Sequence, residues 1–309
     1  MQHLEWLRLS PLGVVPQRER RPRLIVDLTF WGINLETISF VPKEAMQFGR
    51  SLERLLFYVR HADPAFGPVY MAKFDIANGF YRVPLDPRSA LALAVVLPRF
   101  HASEPHLIAV PLVLPMGWTE SPPAFCALTE SITDVVNARM HLAPTEVHRL
   151  EHIFSEEGDA AAAQAAITSL LGPDTSAKSH FLIPETSPAP EHFTSQPLGE
   201  PLAYTDVFVD DFIQLCQGDD TRLQNVRRIL LQTIDEALTS PLPHETNREE
   251  PVLVKKLHKG DGSWHTVKTV LGWIIDSLNK TITLPPHRAA RLLEMFADLH
   301  HKKRVGLQK

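Results

Sequence analysis

Residues 204–215 read YTDVFVDDFIQL. Either half of this run would pass for a buried strand, because Val207, Phe208, Phe212, Ile213 and Leu215 are apolar. The adjacent Asp210 and Asp211 forbid one uninterrupted strand. Neighbouring strand residues point to opposite faces, so one of the two carboxylates would be driven into the core. At the tip of a tight hairpin both reach a common edge. The alternative is a plain surface turn, in which Asp is an ordinary residue.

Working outward, a third carboxylate shares this character. Asp75 ends the run VYMAKFD (69–75) and precedes the small-residue turn Ala77-Asn78-Gly79 and then Phe80-Tyr81. If the two strands are neighbours, their acids form one site. Converging carboxylates repel and hold their protons more tightly unless a divalent cation neutralises them, and Mg²⁺ prefers such oxygen ligands. Two such ions about 3.5–4 Å apart are general apparatus for in-line phosphoryl transfer. From spacing alone the chain is a candidate metal-dependent phosphoryl transferase.

Further strand readings fall at 23–28, 90–97, 107–114 and 267–276, and helical spacing at 44–60, 121–140, 222–238 and 286–300. The order lacks regular βαβ alternation, so an α+β fold with an antiparallel sheet is expected. The 309 residues carry 31 Lys+Arg against 36 Asp+Glu and are 44% hydrophobic, enough for a real core and two or so structural units. Charge is uneven. Residues 144–220 hold 2 basic and 14 acidic side chains, which leaves the remainder at +7 and only weakly favours a polyanionic partner. Residues 155–202, acidic and rich in Pro, Ser and Ala, read as an insertion with a helical beginning and a proline-interrupted, disordered second half. Cys126 and Cys216 read as two reduced thiols, and no run approaches the ~18 apolar residues of a membrane span. A soluble intracellular protein, in cytoplasm or nucleus, with no membrane partner is expected.

Ordered blocks then carry a family resemblance. RRPRLIVDLTFWGIN (20–34), KFDIANGFYRVPLDP (73–87), LPMGWTESPPAFC (114–126) and FVDD (208–211) resemble, in order, the fingers block and catalytic blocks of the reverse transcriptase polymerase domain of retroviruses and retrotransposons. VLGWIID (270–276) resembles the primer-grip block, and with LPPHRAARL (284–292) is most like tyrosine-recombinase or LTR-type retrotransposons. The resemblance covers most of 16–295 outside the insertion. It implies a right-hand polymerase fold: fingers at 1–66 and 83–120, a palm with an antiparallel sheet at 67–82 and 121–285, and 286–309 as the start of a thumb that is mostly absent.

The resemblance implies an RNA-directed DNA polymerase that transfers deoxynucleoside triphosphates to a primer 3′-hydroxyl on an RNA or DNA template. Asp75 and Asp210 would bind two Mg²⁺ ions, with Mn²⁺ as a substitute and Asp211 in support. Backbone at Ile76 and Ala77 would hold nucleotide phosphates. Phe80 would exclude a ribose 2′-hydroxyl; otherwise it is a core ring. Arg23 would contact the triphosphate through its planar guanidinium; otherwise it is a solvated arginine at a strand start. Met116, Gly117 and Trp118 would line the nucleotide and template side, with Ser121-Pro122 starting the helix beneath. Leu271, Gly272 and Trp273 would support the primer terminus, or simply form a strand with a bulge. Lys256 is a candidate proton donor to pyrophosphate, set against an ordinary surface lysine.

Departures from the family are specific. Phe208 stands where Tyr is usual, block two and the hairpin lie about 85 residues apart, and extra residues precede Asn34. With no room for a full thumb or ribonuclease H after Lys309, the expectation is the fingers and palm of a larger retroelement polyprotein. The alternative is an inactive remnant that keeps the fold and nucleic-acid binding. His148 and His152, four apart, read as a solvated helix face rather than metal ligands. Lys259-Gly260-Asp261-Gly262 reads as a hairpin turn, and His300 to Arg304 as a basic end.

Overall fold

The two-residue break at Val209-Asp210 turns the central run into a hairpin. In the computed structural model, which describes residues 7–17, 20–37, 46–99, 101–144, 146–154, 181–183, 199–238 and 250–301, the chain is α+β with several small sheets. Its strands are β1 (Leu9–Ser10), β2 (Leu12–Gln17), β3 (Arg20–Val26), β4 (Tyr70–Asp75), β5 (Ala94–Val96), β6 (Ile108–Ala109), β7 (Phe181–Leu182), β8 (Ala203–Phe208), β9 (Asp211–Cys216), β10 (Val267–Val270), β11 (Trp273–Asp276) and β12 (Thr281–Thr283). The helices are α1 (Ile33–Glu36), α2 (Ser51–His61), α3 (Pro87–Ala92), α4 (Ser121–Arg139), α5 (Asp220–Leu238), α6 (Val254–Leu257) and α7 (Pro286–His301). No helix among the described residues is long and apolar enough to cross a membrane.

The chain divides into two compact units, Met1–Gly49 with Ile76–Val135 and Thr233–Val252, and Arg50–Asp75 with Val136–Gln232 and Leu253–Lys309. The first unit holds the sheet β1-β5-β6 and the ribbon β2-β3. Leu28, Ile33 and Leu93 pack together there, with Trp118 against them. Asn34 clamps the following block, donating from Nδ2 to the Gly117 carbonyl at 3.0 Å and accepting from the Thr119 amide at 3.1 Å.

The second unit is built on the antiparallel sheet β4-β9-β8 and on a second sheet, β10-β11-β12-β7. Met71, Phe212, Ile213, Leu215, Val270 and Ile275 are almost fully buried, so both strands flanking the hairpin tip are anchored by apolar burial. Both edges of the first sheet are covered, which removes the hazard of unpaired strand groups. Along β8 the Asn137 amide exchanges hydrogen bonds with Thr205, and Ser51 Oγ donates to the Val207 carbonyl at 2.6 Å. Along β4 the irregular segment 253–265 takes the place of a strand. Leu253 N–H donates to the Asp75 carbonyl, Lys73 N–H to the Asp261 carbonyl and Met71 N–H to the His265 carbonyl, at 2.7–2.8 Å.

Several local expectations are corrected. Residues 90–97 divide into the end of α3 and the short β5, because Asp86 caps Pro87 at a helix start by accepting from the Arg88 amide at 2.8 Å. Of 107–114 only Ile108–Ala109 is strand; Pro111 has no N–H to extend the ladder. Residues 267–276 are two strands, not one, because Leu271 and Gly272 both take positive φ (49° and 83°) and make a tight turn. His148 and His152 share no helix: His148 is buried in a turn, where its Nδ1 accepts from the Leu150 amide, and His152 lies in a short 3₁₀ turn. Lys259 to Gly262 close the C-terminus of α6 rather than a hairpin. The presumed insertion contributes Phe181–Leu182 to a sheet and Ile183, 1% exposed, to the core, because an apolar triplet interrupts the acidic stretch. Most of 155–202 and of the basic end lies outside the described residues.

Candidate active site

Register decides the meeting of the acids. Strands β4 and β9 pair so that Asp75 lies directly opposite Asp211, while Phe208 pairs with Asp211 across the two-residue turn that holds Asp210. The three carboxylates expected from sequence are thus gathered at one end of one sheet, within the second unit. Val209, the first turn residue, has φ 60°. This turn normally takes glycine there, and a β-branched residue is strained in the left-handed region by about 1–3 kcal/mol.

Charge at this sheet end is mixed. Asp75 is 7% exposed and its Oδ2 is ion-paired with Lys256 Nζ, which also stands 3.9 Å from Asp211 Oδ1. Lys73 Nζ pairs with Asp261 Oδ2 at 3.2 Å. Burial first, and then the facing Asp75 and Asp211 carboxylates, push Asp210 up to about 6. Burial likewise raises Asp211, against the lowering pull of Lys73 and, more weakly, of Lys256. Burial pulls Lys256 down, but its hydrogen bond to Asp75 and the surrounding negative charge outweigh that, so it stays protonated above the ordinary lysine range.

Two of these groups were underweighted or missed in sequence. Lys256 sits in the centre of the cluster because α6 is tied through Leu253 to the Asp75 backbone and anchored by Leu257, which is fully buried. Asp261 was hidden in a glycine-flanked loop, and the signal available was only a charge between two glycines. Lys268, nearly buried, holds that loop by donating from Nζ to the Gly260 and Ser263 carbonyls at 3.0 and 2.7 Å; burial pushes it down to about 7, with Asp261 opposing.

The donor set suits a hard, oxygen-preferring cation. Asp211 Oδ1 is buried and accepts no hydrogen bond, an oxygen left for a charged partner. Among the described residues no group of three or more His, Cys, Asp or Glu side chains could hold a metal by itself. Mg²⁺ does not require such a cage, since it is commonly bound by one or two carboxylates together with waters and substrate phosphates.

The other predicted residues occupy defined places in their own units. Arg23 lies on β3, its backbone paired with Val15. Ile76 bridges to Val252, and the Ala77 amide donates to the Pro251 carbonyl. Phe80 is half-buried, edge-on to Phe125 with centroids 5.1 Å apart. Met116 is exposed, and Gly117 has φ 99° with the Val26 carbonyl so close that a Cβ would lie 3.3 Å from it. All six belong to the first unit. Ser121 starts α4, and its hydroxyl donates to the Pro115 carbonyl at 2.7 Å, tying down the preceding loop. In the second unit Leu271 and Gly272 are the β10–β11 turn and Trp273 begins β11. Arg288 of α7 lies over that turn, its Nη1 only 1.9 Å from where a Gly272 Cβ would be, so no side chain fits there without displacing the guanidinium.

No family model matches the chain, and no curated protein is significantly similar to it.

Proposed function

We propose that the chain is the polymerase domain of a retroelement reverse transcriptase, with a palm built on β4-β9-β8 and nucleotide contacts from the fingers. The observation that carries this reading is the register of Asp75 opposite Asp211 beside the hairpin-tip Asp210. Structural carboxylates are neutralised by arginine or by backbone N–H groups. These instead face one another, and burial together with the Asp75 and Asp211 carboxylates raises the proton affinity of Asp210, as for groups arranged to meet a cation.

On this reading Asp75 and Asp210 hold two Mg²⁺ ions, or Mn²⁺ in their place, with Asp211 in support. When bound, the ions activate the primer 3′-oxygen and neutralise charge on the departing pyrophosphate. The chain's own residues do the rest. The strained turn at Val209 fixes where Asp210 points, and the buried strands on either side keep the carboxylates from relaxing apart. Arg23, the Ile76 and Ala77 backbone, Met116 and Gly117 contact the deoxynucleotide, and Phe80 blocks a ribose 2′-hydroxyl. Leu271, Gly272 and Trp273 support the primer end. Lys256 is within reach of the carboxylates and can pass a proton to the leaving group. Template and primer, RNA or DNA, are held mainly through phosphates, so affinity falls steeply with salt.

The test is Mg²⁺-dependent extension of a DNA primer on an RNA template by the full chain, beside Asp210→Asn. The expected result is extension with deoxynucleotides, little with ribonucleotides, and loss of roughly 10²–10³-fold in the variant. No extension by a folded chain that still binds template-primer would replace this reading with that of an inactive remnant.

A further inference from the structure

The position of Lys256 leads beyond its candidate role as proton donor. Its ammonium lies where two acids converge, ion-paired to Asp75 Oδ2 and 3.9 Å from Asp211 Oδ1. That second oxygen is buried and has no hydrogen bond. Four carboxylates (Asp75, Asp210, Asp211 and Asp261) meet here, and the two lysines that face them divide the work. Lys73 is taken by Asp261 at 3.2 Å, with its backbone also bound to the Asp261 carbonyl. Lys256 is the one ion-paired to Asp75 and within 4 Å of Asp211, whereas Lys73 acts on Asp211 through its field while its own ion pair is with Asp261.

We infer that Lys256 is an internal counter-ion, its ammonium standing in for the divalent cation between Asp75 and Asp211 and moving aside when the cation binds. This rests on reading the carboxylates as a cation site, and concerns what occupies that site before the ion arrives. The geometry suits a displaceable partner. Lys256 is the third residue of the four-residue α6, its side chain is 37% exposed, and lysine's flexible stem lets the head group swing out into solvent. A permanent structural pairing would use a buried, bidentate arginine, as Arg54 does for Asp206 in the same unit.

Two consequences follow. The carboxylates are pre-positioned without metal, because a cation of the chain offsets their repulsion. Metal affinity is also lowered, because each incoming ion competes with a tethered ammonium. Replacing Lys256 by a neutral side chain of similar length should therefore tighten cation binding, the opposite of what loss of an ordinary structural residue does.

The experiment uses the full chain at fixed pH and ionic strength. Mn²⁺ binding is read by electron paramagnetic resonance of the free ion for wild type, Lys256→Met and Lys256→Arg. Three- to tenfold tighter binding is expected in Lys256→Met, with Lys256→Arg at or below wild type because the charge is kept. In parallel, acetylation of lysines is followed by mass spectrometry with and without Mg²⁺. Lys256 should become several-fold more reactive when Mg²⁺ is added, with Lys268 unchanged. Equal or weaker Mn²⁺ binding in Lys256→Met, or no binding in either chain, overturns the inference; so does a Lys256 reactivity indifferent to Mg²⁺. Thermal melting of each variant identifies a misfolded chain, and for such a chain the acetylation of wild type decides alone. Primer extension by wild type is scored separately, so tighter Mn²⁺ binding without extension would support the counter-ion while removing the polymerase reading.

Discussion

Asp206 and Asp210 lie four residues apart on one hairpin and have opposite surroundings. Asp206 is fully buried. Arg54 grips it from two sides, Nε to Oδ2 at 2.7 Å and Nη2 to Oδ1 at 2.6 Å, while the Tyr204 hydroxyl and the Val207 amide complete its hydrogen bonds. Tyr58 packs at a tilt of 41° against Tyr204, with ring centroids 4.0 Å apart. Asp210 sits at the turn with Asp75 and Asp211 for company, and burial first, then their charge, raises its proton affinity. The contrast separates two uses of a carboxylate. One is neutralised within the fold and stabilises it only as a completed network; the other is kept under repulsion, which a ligand can relieve.

The contrast can be broken most forcefully at the paired acid. Arg54→Met leaves the Asp206 charge buried without its partner, and should lower unfolding stability by about 3–5 kcal/mol in a urea titration. Asp206→Asn should cost less than that, because no buried carboxylate charge is left unpaired and the remaining amide oxygen still accepts from one of the two donors, Val207 or Tyr204. Asp210→Asn should do the reverse of Arg54→Met: extension is lost while the fold survives and gains stability. A comparable stability loss in both variants would remove the distinction drawn between the two residues.

The repulsion at Asp210 also has a pH signature. Its folded-state value of about 6 lies above the ordinary 3.8, so between those pH values the folded chain keeps a proton that the unfolded chain has released. The Asp210 contribution therefore makes stability fall as pH rises from about 4 to 6, and stay level above. After solvent screening this is worth roughly 1 kcal/mol. Above pH 6.5, Asp210→Asn should melt about 2–4 °C higher than wild type, with the advantage vanishing near pH 4. Curves that stay parallel over this range would show that Asp210 feels no such repulsion.

The smallest effect concerns the turn itself. Val209→Gly relieves a β-branched residue at φ 60° but adds unfolded-state freedom, for a net gain of about 0.5–1 kcal/mol. Chemical denaturation would measure it, and a loss of stability would mean that the Val209 side chain contributes packing that outweighs the strain.

Much of this hairpin was legible in the chain. Two adjacent aspartates inside an apolar run can be accommodated only where the strand stops, and the structure places the turn at Val209-Asp210 for that reason. The long helices were legible too, since α4, α5 and α7 each carry their apolar spacing and start signals locally. The two-strand nature of 267–276 was not, because its turn uses Leu271 at positive φ, a residue that gives no turn signal and is retained for its packing against the core. The 181–183 strand was masked by the composition around it.

By itself the sequence determined that the central run must fold back on itself and that its acids end at the turn, because side-chain alternation and the cost of burying charge act within a few residues. Only the tertiary structure decided that Asp75 stands opposite Asp211, that Lys256 and Asp261 join them from a segment lining the β4 edge, and that Arg54 neutralises Asp206. Those choices are made between positions distant in the chain, where strand register and the covering of a free edge are selected by the burial of whole strands, and no local pattern of residues records which partner will win.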